Sequence, residues 1–407
     1  MFKKIAMISI ATTLMLSCTG NRTNSNDNNA EDGDNEEVAA ANKAVLTDAK
    51  SEELFLLIGT YTSNEGSKGI YVHRFNTQTG SSNSISMVEA SNPSYLAVSP
   101  TQDHVYAVSE GEDSGVYSFS FDKNSGTLIP INFQPTLSSG PCYITIDKSG
   151  KNVYTANYGG GSITSFQVNT DGSLTPATSV LSFEGSGPDT TRQKNSHLHS
   201  VMFTSAGDYL FATDLGSDRL YRLSSTNSPF EGQPSIDEGS LKIFDMPPGT
   251  GPRHFAFHPI DNKYLYVLGE LSGEVAVFDY ANGDISHKQT VVADSVGARG
   301  SADIHISPDG RFLYSSNRLQ ADGIAIFAIN ADDGTLTKVG YQSTARHPRN
   351  FVITPNGKYL LVAGRDDNKI QVFEINNDTG LLTNTNKEIL ISKPVCLKFA
   401  SMSELGE

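Results

Sequence analysis

The sequence predicts an all-β fold, a seven-bladed β-propeller with four-stranded antiparallel blades, and three observations support this prediction. The 407 residues include 36 glycines, and only 18% of the residues are charged. Short apolar runs alternate with clusters of turn-forming residues at regular spacing. One pattern recurs with a period of about 45 to 55 residues, which is typical of propeller blades. Because each blade packs only on its neighbours, we expect one globular domain in a chain of this length.

The repeated unit is clearest in the range 251–278. Phe255 and Phe257 occupy alternate positions, as in a first strand with one buried face. A turn-forming cluster follows, and two further apolar runs, at Tyr264–Leu268 and Glu274–Phe278, predict the next two strands of a meander. The same plan recurs at four other places, which are Pro141–Phe166, His199–Leu223, Ala302–Phe327 and Pro348–Phe373.

The two ends of the chain complete one another. The last leading strand, near Val395, has too few residues after it for three more strands, whereas Leu54–Gly59, Gly69–Asn76 and Ser84–Glu89 lack a leading strand. We therefore expect the ring to close by pairing of the N- and C-terminal strands, which leaves no open sheet edge. In all, seven leading strands are predicted, beginning near Ser94, Cys142, His199, Arg253, Asp303, Arg349 and Val395.

The first 18 residues resemble a bacterial lipoprotein signal. Two lysines precede an apolar run from Ile5 to Leu16, which is too short to span a bilayer, and a small residue stands directly before Cys18. We expect cleavage before Cys18 and lipidation of its thiol. The mature chain is then an exported lipoprotein of the cell envelope, at the periplasmic face or the outer membrane, held to the membrane only through its lipid anchor. Cleavage without lipidation is the alternative.

Residues 19–53 read as a flexible acidic tether, followed by the propeller at 54–400 and a tail at 401–407. Between Asn21 and Glu53 the chain has nine carboxylates, three basic side chains and no apolar period. The net charge of -15 therefore overstates the acidity of the folded part. No basic stripe with interleaved aromatic residues is present, so nucleic acid is not an expected partner. The sequence does not indicate an oligomeric state.

Two cysteines follow the signal segment, Cys142 and Cys396, and both begin inner strands in repeats that are not adjacent. A disulfide requires Cα atoms within about 7 Å, which this spacing disfavours. We expect both to be small core residues.

Chemistry is expected at one end of the central channel. In a meander blade, the start of the innermost strand and the loop between the second and third strands lie at the same end, so these positions converge. Such turns favour Gly, Asn, Asp and Ser, and Arg, Glu and His at equivalent places therefore indicate a site. The strand starts supply His197, His199, Arg253, His254, Asp303, His305, Arg349 and Asn350. The loops supply Thr60, Tyr61, Glu110, Asn157, Tyr158, Asp214, Glu270, Asn317, Arg318, Arg365 and Asp366.

Several of these segments resemble the lactonase seven-bladed β-propeller family. They are S-H-L-H-S from Ser196, G-P-R-H-F from Gly251, N-K-Y-L-Y-V-L-G-E-L from Asn262, A-D-I-H-I-S-P-D-G-R-F-L-Y-S-S-N-R from Ala302 and H-P-R-N-F from His347. The resemblance covers roughly residues 54–400. It implies lactone chemistry, because the family includes propeller-type 6-phosphogluconolactonases and lactone-forming muconate lactonizing enzymes.

Carried over by position, the resemblance implies a catalytic set of His199, Arg253, Glu270 and Arg318. The chain departs from the family's cytoplasmic 6-phosphogluconolactonases in its export signal, which leaves a phosphorylated substrate in question. An anionic lactone or sugar acid is the expected ligand, with neither metal nor cofactor. Further substrate-binding candidates are His197, His254, Asp303, His305, Arg349 and Asn157.

Physical chemistry suggests a role for each member of the catalytic set. A histidine with a pKa of about 6.5 can take the proton of an attacking water near neutral pH, so His199 is the expected general base. Arg253 and Arg318 are expected to clamp an anion and polarise the carbonyl group. Glu270 is expected to orient an arginine or a histidine. Run in reverse, the same groups would serve lactone formation.

Other interpretations stay open at this point. Arg253 and Arg318 can instead pair with Glu270 and Asp303 to tie blades together, and His254 and His305 are more often hydrogen-bonded core residues than catalysts. The pair His197 and His199 has the spacing of metal ligands on one strand face, although nearby arginines disfavour a dication. A calcium-dependent gluconolactonase-like enzyme and a non-catalytic binding module are the alternative functions.

Overall fold

In a computed structural model, which describes residues 52–226 and 236–403, the chain forms seven four-stranded antiparallel sheets arranged as the blades of a propeller. This confirms the predicted fold class. The lipoprotein-type signal ending at Cys18, the tether up to residue 51 and the tail residues 404–407 lie outside the described residues. The described part contains one single-turn 3₁₀ helix, Arg365–Asp367. No helix of the described part has the length and apolar character needed to cross a membrane.

The strands follow one order along the chain. The first blade contains β1 (Glu53–Thr60), β2 (Gly69–Asn76) and β3 (Ser82–Glu89), and the second contains β4 (Leu96–Val98), β5 (His104–Ser109), β6 (Gly115–Asp122) and β7 (Thr127–Pro135). The third contains β8 (Pro141–Ile146), β9 (Asn152–Asn157), β10 (Ser162–Gln167) and β11 (Ser179–Ser182), and the fourth contains β12 (Leu198–Phe203), β13 (Tyr209–Asp214), β14 (Arg219–Ser225) and β15 (Ile236–Asp245).

The remaining blades repeat this plan. The fifth contains β16 (Pro252–Phe257), β17 (Tyr264–Gly269), β18 (Glu274–Ala281) and β19 (Asp284–Val292), and the sixth contains β20 (Ser301–Ile306), β21 (Phe312–Asn317), β22 (Gly323–Ile329) and β23 (Leu336–Ser343). The seventh contains β24 (Pro348–Ile353), β25 (Tyr359–Gly364), β26 (Lys369–Ile375) and β27 (Leu382–Leu390), and β28 (Pro394–Ser401) completes the first blade.

The ring closes as the sequence predicts. Strand β28 pairs antiparallel with β1, so that Leu54 lies opposite Ser401 and Ile58 lies opposite Leu397. The closing blade therefore has the strand order β28-β1-β2-β3. Strand β1 begins at Glu53 and β28 ends at Ser401, each one residue beyond the limits expected from the sequence.

The core lies between adjacent blades rather than within them. All residues of the second strand of blade five, β17, are buried because both faces of this strand pack on neighbouring blades. The outer strand β15 keeps mostly exposed and half-buried residues, as expected at the rim. Each apolar cluster joins two or more consecutive blades; one, for example, packs Tyr266 and Leu268 of blade five on Leu313 and Phe327 of blade six.

Tyrosines on the second strands tie neighbouring blades together. The buried hydroxyl of Tyr266 donates to the carbonyl oxygen of Gly334 at 2.9 Å, and that of Tyr314 donates to Gly380 in the same way. Gly334 has a φ of 71°, and a Cβ atom there would lie 2.5 Å from the ring of Tyr264. The turn thus requires glycine both for its conformation and for the close approach of an aromatic ring.

Candidate active site

The site residues occupy β-bulges at the starts of the inner strands. In five blades the strand pairing skips one residue, which is Val395 in blade one and Cys142, His199, Arg253 or Arg349 in the other four. A bulge inserts an extra residue and re-aims its side chain. These four side chains come from different blades but influence one another's charge state, so they converge on the end of the channel.

The seven blades supply one equivalent position each, and together they form a ring that we call the bulge ring. In blade six the pairing skips both Ala302 and Asp303, and Ala302 directly follows the first paired residue, as Arg253 does in its blade. Asp303, which the sequence places near the start of this inner strand, corresponds to His254. The members of the bulge ring are Ser94, Cys142, His199, Arg253, Ala302, Arg349 and Val395.

His199 is buried and neutral. Burial, together with the charges of Arg253, His254 and Arg349, lowers the pKa of His199 well below 6.5. Its Nδ1 atom lies 3.8 Å from the sulfur of Cys142, whose thiol lies 3.6 Å from a backbone carbonyl oxygen of β12. This arrangement favours a proton on Nδ1 and a lone pair on Nε2, an atom that makes no hydrogen bond within the described residues. His199 is thus in the protonation state that a general base requires.

The thiol of Cys142 completes this environment without being reactive. It is fully enclosed, and burial raises its pKa to about 12. Both Cys142 and Cys396 are buried and free, as the sequence analysis expected. At neutral pH Cys142 is therefore a thiol that packs against His199 and supplies a soft acceptor for its ring.

Glu270 is in contact with three arginines. Its Oε2 atom lies 2.8 Å from Nε of Arg253 and 3.2 Å from Nη2 of Arg318, and its Oε1 atom accepts a 2.7 Å hydrogen bond from Arg192. The N–H group of Arg253 is not aligned for a hydrogen bond, so that contact is an ion pair. Burial acts to raise the pKa of Glu270, but the charges of Arg318, Arg253 and Arg192 outweigh it and lower the pKa to about 2.

Arg253 and Arg318 both pair with Glu270 across blades, as one interpretation of the sequence proposed. Arg253 also donates to the carbonyl oxygen of Ala302, and Arg318 donates through Nε to the carbonyl oxygen of Gly300 at 2.7 Å. Burial, with the nearby guanidinium groups, lowers the pKa of Arg318 to about 9. Protein atoms therefore contact Nε and both Nη atoms of Arg318, and Nε and Nη1 of Arg253.

A second carboxylate, Asp303, follows the bulge position of blade six by one residue and is enclosed by protein donors. It accepts from Nδ1 of His254 at 2.7 Å and Nε2 of His305 at 3.0 Å, and from the Asn350 amide and the backbone N–H of Phe351. Both of its carboxylate oxygens are thus engaged by protein donors. Asp303 therefore serves to position neighbouring side chains, and the geometry does not favour the contact with substrate expected from the sequence.

His254 connects Asp303 with Arg253. Its Nδ1 donates to Asp303, which leaves Nε2 as an acceptor 3.3 Å from Nη1 of Arg253. Burial and the charge of Arg253 lower the pKa of His254 to about 3, against the opposing effect of Asp303. Asp303 thus fixes the tautomer of a neutral His254, which in turn orients Arg253.

Arg349 stands apart from the other arginines. Its nearest carboxylate oxygen is Oε2 of Glu110, at 3.8 Å, which is too long for a hydrogen bond. That same oxygen accepts a 3.0 Å bond from the hydroxyl of Tyr61, and the guanidinium carbon lies 5.6 Å from the centre of the Tyr61 ring. Burial raises the pKa of the Tyr61 hydroxyl to about 12. No hydrogen bond joins the guanidinium of Arg349 to a residue in the described part of the chain.

The remaining substrate-binding candidates lie in different environments. His197 stacks on Tyr158 with ring centres 4.4 Å apart and bonds through Nδ1 to the Tyr158 carbonyl oxygen at 2.8 Å. Asn157 is fully buried, and its side chain bonds to the hydroxyls of Thr155, Ser162 and Thr164. Asn157 therefore stabilises blade three and is not available to a ligand.

Sequence reasoning missed Arg192, Cys142 as a site neighbour, and His347, whose Nε2 lies 3.3 Å from Nη1 of Arg318. Arg192 lies in the segment 184–196, which interrupts the repeat and carries no apolar period. Asp189 caps this segment by accepting from the backbone N–H groups of Thr191 and Arg192, and its Oδ2 pairs with Arg299. The interruption of the repeat was the one signal that could have drawn attention to it.

Four arginines, Arg192, Arg253, Arg318 and Arg349, lie at this end of the channel with three carboxylates, which are Glu270, Glu110 and Asp303. The excess of positive charge favours an anionic ligand. Within residues 52–226 and 236–403, no group of three or more His, Cys, Asp or Glu side chains is arranged to hold a metal ion.

Comparison with known proteins gives a consistent result. Residues 55–399 match the family model described as lactonase, 7-bladed beta-propeller. A 6-phosphogluconolactonase of Formosa agariphila is 36% identical over 356 residues, which cover 86% of this chain and all of that protein. A crystal structure of a candidate 6-phosphogluconolactonase from Bacteroides fragilis is 51% identical, with a TM-score of 0.84 over 86% of this chain and 99% of the other. A periplasmic gluconolactonase of Pseudomonas aeruginosa is 32% identical, with a TM-score of 0.79 over 86% and 99% of the two chains.

Proposed function

The chain belongs to the lactonase seven-bladed β-propeller family, and from this premise we propose that it is a 6-phosphogluconolactonase-like hydrolase that opens a sugar-acid lactone at the mouth of its channel. The observation that carries the proposal is the pairing of a neutral His199, with Nε2 free, and a buried Arg253 in neighbouring blades. A general base activates the attacking water, and a fixed cation stabilises the oxyanion, so both groups accelerate ester hydrolysis.

The reaction follows from these two groups. A water held at Nε2 of His199 loses a proton to the imidazole as its oxygen attacks the lactone carbonyl. The negative charge that develops on the carbonyl oxygen is stabilised by the guanidinium of Arg253. When the ring C–O bond breaks, the protonated His199 returns its proton to the leaving alkoxide. The products are a free hydroxyl and a carboxylic acid, which ionises.

The low pKa of His199 matters for this scheme. A buried histidine surrounded by cations is a weak base in the unliganded protein. An anionic ligand cancels part of that positive charge, so binding raises the pKa of His199 toward neutrality. The site therefore couples binding of an anion to activation of the base.

Glu270 has a different role from a proton donor or acceptor. With its pKa lowered to about 2 it remains ionised throughout the physiological range. We assign it the task of holding Arg253 and Arg318 in place, with Arg192 reaching it from the segment 184–196. A fixed cation is worth more at a developing oxyanion than one that must reorganise.

The location of the enzyme belongs to the same proposal. The signal-like segment ending at Cys18 and the acidic tether support an exported, lipid-anchored protein, and one relative is named a periplasmic gluconolactonase. A substrate outside the cytoplasm follows from this. Replacement of Cys18 by serine removes the thiol that carries the lipid, so it should abolish incorporation of labelled fatty acid, and a variant that is still labelled would contradict the anchor.

The function is tested by following acid release from neutral, carboxylated and phosphorylated lactones with the protein from about residue 50 onward, after subtraction of spontaneous hydrolysis. We expect faster hydrolysis of at least one anionic lactone, retained in the presence of a chelator. Arg253→Gln should lower kcat by a factor of about 100 to 1,000, as loss of an oxyanion donor does. If no lactone is opened faster than in buffer, hydrolysis is wrong and a binding role replaces it.

A further inference from the structure

Arg349 occupies an unusual place in the bulge ring. Its neighbours on the two sides are Ala302 of blade six and Val395 of blade one, whose side chains offer no hydrogen-bond acceptor. The side chain is only 15% exposed, so bulk water reaches little of it. A charged group removed from water requires partners.

The other arginines at the mouth already have such partners. Arg192 donates to Glu270, Arg253 donates to a backbone carbonyl oxygen and pairs with Glu270, and Arg318 does the same. Within the described residues, the polar contact of Arg349 is a 3.8 Å ion pair with Glu110, and the near oxygen of Glu110 accepts a hydrogen bond from Tyr61. Arg253 and Arg318, which the sequence analysis assigned as anion clamps, are therefore held by backbone carbonyl oxygens and by Glu270. The guanidinium of Arg349 donates to no residue in the described part of the chain.

We propose that Arg349 is the receptor for an anionic group of the ligand, a carboxylate or a phosphate, which it binds through the fork of its guanidinium. The planar fork matches two oxygens of either group. Tyr61 lies against one face of the guanidinium and keeps it in position. Glu110 is the competing anion, which an incoming ligand displaces from its long contact.

This inference rests on the proposed function for the source of the anion. A lactone can bring the charge as a phosphate or carboxylate substituent, or acquire it when ring opening releases a carboxylate. Both sources present the same oxygens to Arg349. They differ in kinetics, because a substituent contributes to binding of the substrate and a released carboxylate contributes to binding of the product.

Binding of inorganic phosphate, measured by isothermal titration, tests the receptor without any reaction. Arg349→Gln should weaken phosphate binding by at least about ten-fold. The affinity of Arg349→Lys should lie between those of the wild type and Arg349→Gln, because lysine keeps the charge but lacks the planar guanidinium fork. Glu110→Gln should tighten binding by removing the competing charge. Arg346→Gln is the matched control, because Arg346 is an exposed arginine three residues away that pairs with Asp367.

Two results would overturn the inference: phosphate binding that is unchanged in folded Arg349→Gln and Arg349→Lys, or no phosphate binding by the wild-type protein. Thermal unfolding of each variant establishes that it is folded, and the tightening expected in Glu110→Gln does not depend on the arginine variants.

Kinetics separate the two sources and the two proposals. If Arg349→Gln raises KM for anionic but not for neutral lactones, Arg349 binds a charged substituent of the substrate. If Arg349→Gln instead loses inhibition by the hydroxy-acid product, Arg349 binds the carboxylate that ring opening releases. If the protein opens lactones and neither quantity changes, the receptor is wrong and the hydrolase stands. If it opens no lactone but binds phosphate through Arg349, the hydrolase is wrong and the receptor stands.

Discussion

Glu270→Gln is the substitution whose effect follows most directly from the structure. Glutamine has nearly the shape of the carboxylate and imitates its protonated state, so the change removes one charge beneath three arginines. The pKa of Glu270 falls from its ordinary value of 4.5 to about 2 on folding. At 1.36 kcal/mol for each pKa unit, the ionised form stabilises the fold by about 3 kcal/mol. The loss of one partner from a buried ion pair costs a similar amount.

The sign of the pH dependence is fixed by the lowered pKa. The stabilisation is fully present above pH 4.5 and is lost as the pH falls through about 2. The free energy of unfolding of the variant should therefore be about 3 kcal/mol below that of the wild type at pH 7, and the gap should shrink below pH 4.5. For a domain of this size, 3 kcal/mol corresponds to a fall in Tm of about 4 °C.

The assay is thermal unfolding of both proteins at one scan rate and several pH values. Glu274→Gln in the same blade is the control, because Glu274 is half-buried and forms no ion pair with a described residue, and its Tm should change little. Equal Tm values for wild type and Glu270→Gln at pH 7 would refute the reasoning. So would a gap that stays constant down to pH 3.

Three further predictions concern other residues of the site. Because burial and the charges of Arg253, His254 and Arg349 lower the pKa of His199, the acid limb of kcat/KM should lie below pH 6.5, and a limb at or above 6.5 would contradict this assignment. His254→Phe should lower kcat by about ten-fold or more with little change in KM, and His254→Gln, which keeps an acceptor for Arg253, should lose less; equal losses would argue against a positioning role. Burial raises the pKa of the Cys142 thiol to about 12, so iodoacetamide should label it only after unfolding, and rapid labelling of the native protein would show that the thiol is accessible.

The fold was predictable because its information is local and repeated. Alternating residues such as Phe255 and Phe257, followed by a turn and two apolar runs, define a blade without reference to distant parts of the chain. Closure was predictable as well. The strand near Val395 lacks the three strands that should follow it, and the three strands from Leu54 lack a leading strand.

The site was predictable in position but less so in its contacts. The P-R-H and P-R-N segments place Arg253 and Arg349 at strand starts, yet alternation alone does not reveal the bulges that re-aim these side chains. The pairing of arginines with Glu270 depends on side-chain geometry across blades, which no local pattern encodes. Arg192 was not predicted as a site residue, because the segment that contains it belongs to no repeat.

The central claim, that His199 is the base of a lactonase, is tested most directly by steady-state hydrolysis of an anionic lactone by wild type, His199→Gln and His287→Gln. His287 is an exposed histidine on an outer strand and serves as the control. We predict that His199→Gln lowers kcat by a factor of about 100 to 10,000, with folding unchanged, and that His287→Gln matches the wild type. Undiminished kcat in a folded His199→Gln variant would contradict the account.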